Sequence, residues 1–276
     1  MPRAVEFEVV ADTSAFSAIQ LQPSLVASTT WNALARWLRA YIVPFPDLIA
    51  REQVGLVVLG FHLQYGAAAS FFDCPALTVR GALRIMRRGE RGQFDIRFSA
   101  DKRVLATARL ILCPVAIRDP IALGAEPAPI PEHLCERFQP DELESASPER
   151  PVPERLVSIE TQGRLLAEGR HSFTIHRHLS EVAEQWAWTG VPGLSEAARE
   201  RLALGDECDR AVRRQVRRCL EQPVARFDVE FGRPFFSFET GEIVTRAYAI
   251  EDRLGLVHRF TSESGGALHA TVVETF

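Results

Sequence analysis

Apolar and polar residues alternate with a period of two over residues 5–12 (VEFEVVAD) and again over 171–178 (HSFTIHRH). That spacing puts Phe7 with Val9, and Phe173 with Ile175, on one face of a strand. The period then changes. In WNALARWLRAY, Leu34, Trp37, Leu38 and Tyr41 form a helical stripe, with Thr30 ahead of it as the N-cap. In the second half, Ser195 stands in the same relation to EAARERLAL. Second helical stretches are expected at 45–53 and 206–220. Beyond them the strand period returns, in VGLVVLGFHLQYG, ALTVRGALRIM, GQFDIRF and VLATARLILCPVAI, and later in VARFDVEFG, EIVTRAYAIED, LVHRFTSE and ALHATVVETF. Gly89, Gly92, Gly255, Gly265 and Gly266 fall at the joints, where hairpin turns use glycine. Strand, helix and antiparallel meander are written twice.

The halves also align residue by residue. Phe61, Gly66, Phe72, Arg80, Arg87, Gly89 and Phe94 meet Phe227, Gly232, Phe238, Arg246, Arg253, Gly255 and Phe260 at one ungapped shift, 227 − 61 = 260 − 94 = 166. A duplication of this kind predicts two units, residues 1–118 and 171–276, with a Pro-rich connector over 119–170. Each is an α+β unit, one apolar helix wrapped by an antiparallel sheet. This topology, doubled, resembles the double-hotdog superfamily, in which two fused units imitate a homodimer as a pseudo-dimer. The resemblance covers nearly the whole chain. It implies a protein that processes acyl thioesters of CoA or acyl-carrier protein, with its sites at the seam of the units.

Composition narrows the classes further. Hydrophobic content of 46% and charged content of 25% fit a folded protein with a full core. A net charge of −4 gives no reason to expect nucleic-acid binding. MPRAVEFEVV has no apolar signal core, and no apolar run is long enough to span a bilayer, so a cytoplasmic protein is expected. The cysteines (Cys74, Cys113, Cys135, Cys208, Cys219) are odd in number and lack CxxC spacing, against a disulfide framework or a zinc ribbon. No cofactor is expected. Lys102 is the only lysine, a composition typical of a high-GC bacterial genome.

Candidate chemistry concentrates at strand ends and helix starts. The loop signatures of the β-hydroxyacyl-carrier dehydratases and of the R-specific enoyl-CoA hydratases are missing. Ala11-Asp12-Thr13-Ser14-Ala15-Phe16 is similar in part to the 4-hydroxybenzoyl-CoA-type thioesterases, with their Asp but neither the second Asp nor the Gly. Asp12 is thus a candidate nucleophile or water activator, or else an Asx turn with Ser14. At the shift of 166 its counterpart is His178, near Ser180, Glu181 and Glu184, as an acid–base candidate. His176 and His178 share a strand face but have no third metal ligand by spacing. Thr30 and Asn32, and Ser195 with Glu196, stand at helix starts, where backbone N–H groups polarise a thioester carbonyl. Glu196 is the candidate base there, or an acidic residue suiting a first helical turn. His62, Gln64, Asp228 and Glu230 are expected on a solvated outer face, and Arg80 and Arg246 in carboxylate pairs. Arg210, Arg213, Arg214, Arg217 and Arg218 form one basic helix face opposite Val212, Val216 and Cys219. It is either a solvated surface or, through Arg213 and Arg217, a dock for CoA phosphates or an acidic carrier protein. Thioester hydrolysis, in bacterial polyketide or fatty-acid-derived metabolism, is the leading expectation. Acyl transfer, dehydration, a non-catalytic acyl-binding subunit and a homo-oligomer remain open.

Overall fold

The computed structural model describes residues 3–119, 124–138, 143–144, 151–205, 210–263 and 266–276. Two compact units emerge. Unit 1 comprises Met1–Ala15, Leu25–Phe61 and Gly66–Glu149, and unit 2 comprises Phe16–Ser24, His62–Tyr65 and Arg150–Phe276.

Along unit 1 run β1 (Val5–Val10), α1 (Pro23–Tyr41, its first two residues in unit 2), α2 (Phe45–Ala50), β2 (Val54–Tyr65, its last four residues in unit 2), β3 (Ala76–Met86), β4 (Arg91–Ala100), β5 (Arg103–Asp119), β6 (Gly124–Pro127), α3 (Glu132–Cys135) and β7 (Leu143–Glu144). Its main strands lie in the order β1-β3-β4-β5-β2. On α1, Val26, Ala27, Thr30, Ala33, Leu34, Trp37 and Leu38 are buried, the stripe a period of 3.6 requires. The Trp37 indole donates to the Arg3 carbonyl at 3.0 Å and the Tyr41 hydroxyl to Ala4 at 2.8 Å, so the apolar stripe carries its polar tips to β1.

Unit 2 repeats the plan with α4 (Pro151–Gln162), β8 (Arg164–Thr174), α5 (Val191–Leu204), α6 (Arg210–Glu221), β9 (Arg226–Phe231), β10 (Thr240–Ile250), β11 (Arg253–Ser262) and β12 (Leu268–Thr275). Its strand order, β8-β10-β11-β12-β9, matches that of unit 1. One buried cluster joins α5 and α6 to the sheet through Ala167, Leu202, Ala203, Val216, Cys219, Ala247, Leu254 and Leu256. A second, Val152, Ile159, Tyr248, Val257 and Val273, seats α4 on the strands.

Several expectations change. Both central helices begin earlier than the caps placed them, α1 at Pro23 and α5 at Val191. A proline opening a helix loses no hydrogen bond, because the first N–H groups have no partner within it. Strand β8 runs over 164–174 instead of 171–178. In the described part of 119–170, read as a connector, β6 pairs with β5 and α4 packs on β12, β10 and β9. Residues 120–123, 139–142, 145–150 and Cys208 lie outside the described residues.

The single shift of 166 does not survive either. β-Bulges are features a duplicated strand keeps. One falls between Phe98 and Ser99, opposite Ala106 and Val104, and one between Phe260 and Thr261, opposite Ala270 and Leu268. Matching them gives 260 − 98 = 162 for β4 and β11, and 270 − 106 = 164 for β5 and β12. The pairs Val79↔Phe98 and Ile243↔Phe260 then give 243 − 79 = 164 for β3 and β10. Burial along α5 follows that along α1 at 191 − 26 = 165, so that Val26, Thr30, Ala33, Leu34, Trp37 and Leu38 correspond to Val191, Ser195, Ala198, Arg199, Leu202 and Ala203. Only β2 and β9 keep 166, with Gly66 N–H bonded to Leu105 and Gly232 N–H to His269. Loop lengths explain the drift. Residues 87–90 join β3 to β4, where Gly89 holds a φ of +98°, whereas only 251–252 join β10 to β11. Gly255 is not its equivalent: it lies within β11 opposite Tyr248.

Candidate functional site

Most of the sequence candidates lie on the surface or inside helices. Asp12 is exposed, and its Oδ1 accepts from the Ser14 N–H at 2.8 Å and the Ser14 hydroxyl at 2.6 Å. These bonds hold the carboxyl below its usual range and make the segment an Asx turn. His178 is exposed in the 3-10 turn Arg177–Leu179 after β8, its ring stacked on His176 with centroids 6.0 Å apart. Among the described residues, no group of three or more His, Cys, Asp or Glu is placed to hold a metal ion.

The expected N-caps are interior residues. Thr30 is fully buried and donates its hydroxyl back to Val26 O at 2.7 Å. Asn32 is exposed and accepts from Arg36 Nε at 2.7 Å. Ser195 is fully buried, and its Oγ has no hydrogen-bond partner among the described residues. None of the three stands where free N–H groups of a first turn point outward. On α6, Arg217 donates to Ala203 O at 3.2 Å, at the carboxyl end of α5, and Arg213 is half-buried.

Glu196 differs from these. It lies in a polar network inside unit 2 that no sequence pattern pointed to. Arg199, one helical turn further along α5, donates through Nη2 to Glu196 Oε1 at 3.0 Å and through Nη1 to Glu274 Oε2 at 2.7 Å. Glu274, on β12, is 0% exposed. Its other oxygen lies 3.7 Å from His258 Nε2 on β11, beyond hydrogen-bond reach. His258 Nδ1 meets Thr245 Oγ1 on β10 at 2.9 Å. Complete burial pushes His258 down to about 4 against the pull of Glu274, so the ring is neutral at pH 7. Burial raises the carboxyl of Glu196, with Arg199 opposing and the charges of Glu200 and Glu274 adding. Burial, followed by the fields of Glu196 and Glu274, also holds the Tyr65 phenol well above its ordinary value; its hydroxyl donates to Leu21 O at 2.6 Å. Cys219, on α6, is pushed up to about 12 and is an inert thiol. The network is closed at Thr245 and open at Glu196, whose side chain is 37% exposed.

The sequence hides this cluster for a physical reason. Arg199 reads as one of the many charges of EAARERLAL, and the unbroken burial of β12 from His269 to Glu274 removes the alternation that would mark Glu274 as inward. A second polar cluster corrects another expectation. Asp228 is 2% exposed, not solvated, and is paired with Arg155 on α4 and with His62 Nδ1 at 3.2 Å. Arg246 does pair with a carboxylate, Glu168, at 2.7 Å.

Unit 1 holds a different feature, an apolar cavity of about 10 Å³ behind α1. Leu38, Ile42, Leu83, Gly92, Leu134 and Phe138 are among its walls.

No family profile matches the sequence, and no curated protein does. The fold, however, recurs in solved structures. A protein described as an oleoyl thioesterase from Lactobacillus plantarum superposes with a TM-score of 0.72 at 10% identity, covering 99% of this chain and 96% of its own. The 12:0-ACP thioesterase from Umbellularia californica gives 0.66 at 10% identity, covering 99% and 93%. An acyl-ACP thioesterase from Bacteroides thetaiotaomicron gives 0.60 at 9%, covering 98% and 96%. The chain has the hotdog fold twice over, as two tandem α+β units.

Proposed function

We propose that the protein hydrolyses acyl thioesters carried by CoA or acyl-carrier protein. The observation that carries this is likeness over the full length of the chain to three thioesterases, two of them named for acyl-carrier-protein substrates. A fold by itself does not name a reaction, so the site must supply the chemistry.

Glu196 is the base in this proposal. Water reaches its open side, while burial raises its carboxyl above the ordinary range and makes it a stronger base than an exposed glutamate. The carboxylate takes a proton from water as the oxygen attacks the thioester carbonyl. Collapse breaks the C–S bond, and the departing sulfur takes up the proton from Glu196. One water and one thioester become one carboxylic acid and one thiol. Asp12 and His178, exposed and outside the network, are assigned no step. Arg210, Arg214, Arg217 and Arg218 are exposed along α6 and available to an acidic carrier.

The test is release of free thiol from a panel of acyl-CoAs and acyl-carrier proteins by the full chain. Turnover on members of the panel, lost in Glu196→Gln by about 100-fold or more, is expected. No release from any of them overturns the proposal. Acyl transfer is separated by following the acyl group into added glycerol or thiol.

A further inference from the structure

The two units supply an internal comparison. At the shifts set by bulges and burial, Arg199 corresponds to Leu34 (199 − 34 = 165), His258 to Ile96 (258 − 96 = 162), Glu274 to Leu110 (274 − 110 = 164) and Thr245 to Gly81 (245 − 81 = 164). Leu34, Ile96 and Leu110 are 1%, 3% and 0% exposed, so this place in the fold is an ordinary apolar core in unit 1. Unit 2 fills it with a guanidinium, an imidazole and a carboxylate at 8%, 0% and 0%. Burying charges there costs stability that leucine and isoleucine do not cost. The fold therefore does not require the network, and its use is to be sought in what it does to its one open member.

We propose that Glu274 is a positioning residue that, through Arg199, governs the proton held at Glu196. This rests on the assignment of Glu196 as the base. Arg199 is a fork with one arm on each carboxylate, and Glu274 receives the shorter bond. One cation is thus divided between two anions. Glu274 is enclosed, so the unshared negative charge falls on Glu196, where water can reach it. His258, itself neutral and bonded to Thr245, lies beside the closed side of Glu274 without adding a charge. The other groups facing the pair are Glu200 on α5, Tyr65 on β2 and Cys219 on α6. None of them is a second cation. Arg199 is the cation bonded to Glu196, and Glu274 decides how much of its charge Glu196 receives.

The decisive variant is Glu274→Gln, which keeps the shape and removes one of the two anions. Arg199 then serves Glu196 alone, and Glu196 becomes more acidic and less basic. The acid limb of the kcat profile should move down by about one pH unit, with a lower plateau and a KM within about twofold. A limb that stays in place, or moves up, overturns the proposal. The same shift is read without substrate by titrating carbon-13-labelled glutamate carboxyls. The Glu196 signal, identified by its loss in Glu196→Gln, should have its midpoint above the ordinary carboxylate range in the wild type and lower in Glu274→Gln. If Glu274→Gln does not fold, the wild-type titration decides, and a midpoint in the ordinary range overturns the proposal. Failure to release thiol from any thioester overturns the assigned reaction instead, and leaves the titration to judge the network.

Discussion

His258 is where burial and charge disagree most sharply. Its ring is fully enclosed 3.7 Å from a carboxylate, yet enclosure wins and the ring is neutral. The pH dependence follows. Native His258 titrates at about 4 and the unfolded chain's histidine at 6.5, so between those values the unfolded state binds a proton that the native state refuses. The stabilising contribution is complete above pH 6.5 and is lost as pH falls through this window. At about 1.4 kcal/mol per unit the loss is about 3 kcal/mol. Glu196 works in the opposite sense, because its raised carboxyl binds a proton more readily when folded. The two are separated by difference. Urea-unfolding free energies of the wild type should fall more steeply between pH 6.5 and 4 than those of His258→Asn, and parallel curves would contradict the account. None of this was legible in LVHRFTSE, where a histidine in an alternating strand has no mark of its side.

At the scale of elements, the sequence located the helices and most strands but not their ends. The stripe of Leu34, Trp37, Leu38 and Tyr41 foretold α1, because a period of 3.6 persists over several turns. The caps failed because Thr30 and Ser195 are small hydroxyl residues that a helix interior also accepts when they are buried. The arginines of α6 show the same limit from the other side. All five follow one helical spacing, yet Arg217 is bonded to the last turn of α5, where a cation satisfies an orphan carbonyl. Arg217→Ala should lower the unfolding free energy by about 0.5–1 kcal/mol. Arg214→Ala, at an exposed position on the same helix, should change it by no more than about 0.5 kcal/mol. Equal effects in two-state urea melts would remove the capping role.

Over the molecule as a whole, the duplication was legible and its register was not. Phe61 with Phe227 and Gly66 with Gly232 sit in β2 and β9, where 166 holds, and their weight in the alignment hid the gaps that shorter turns introduced elsewhere. A slip of one residue on a helix turns a side chain by about 100°. At a shift of 166 Glu196 falls opposite Thr30, whereas burial along the helices puts Ser195 there. Corrected, the comparison makes unit 1 a template for unit 2 without its charges. Arg199→Leu, His258→Ile and Glu274→Leu, combined, restore the residues that unit 1 places there. Removing Arg199 alone leaves Glu274 buried without its cation, so Arg199→Leu alone should cost roughly 3–5 kcal/mol. Removing all of them together leaves no such charge, and the triple variant should be as stable as the wild type or more stable by about 1–4 kcal/mol. If the network exists for Glu196, that well-folded variant will need a higher pH for thioester turnover, because Glu196, without its cation, holds its proton more tightly. A triple variant that unfolds would make the charges structural. One that folds and keeps full turnover at an unchanged pH would leave them without a role in catalysis.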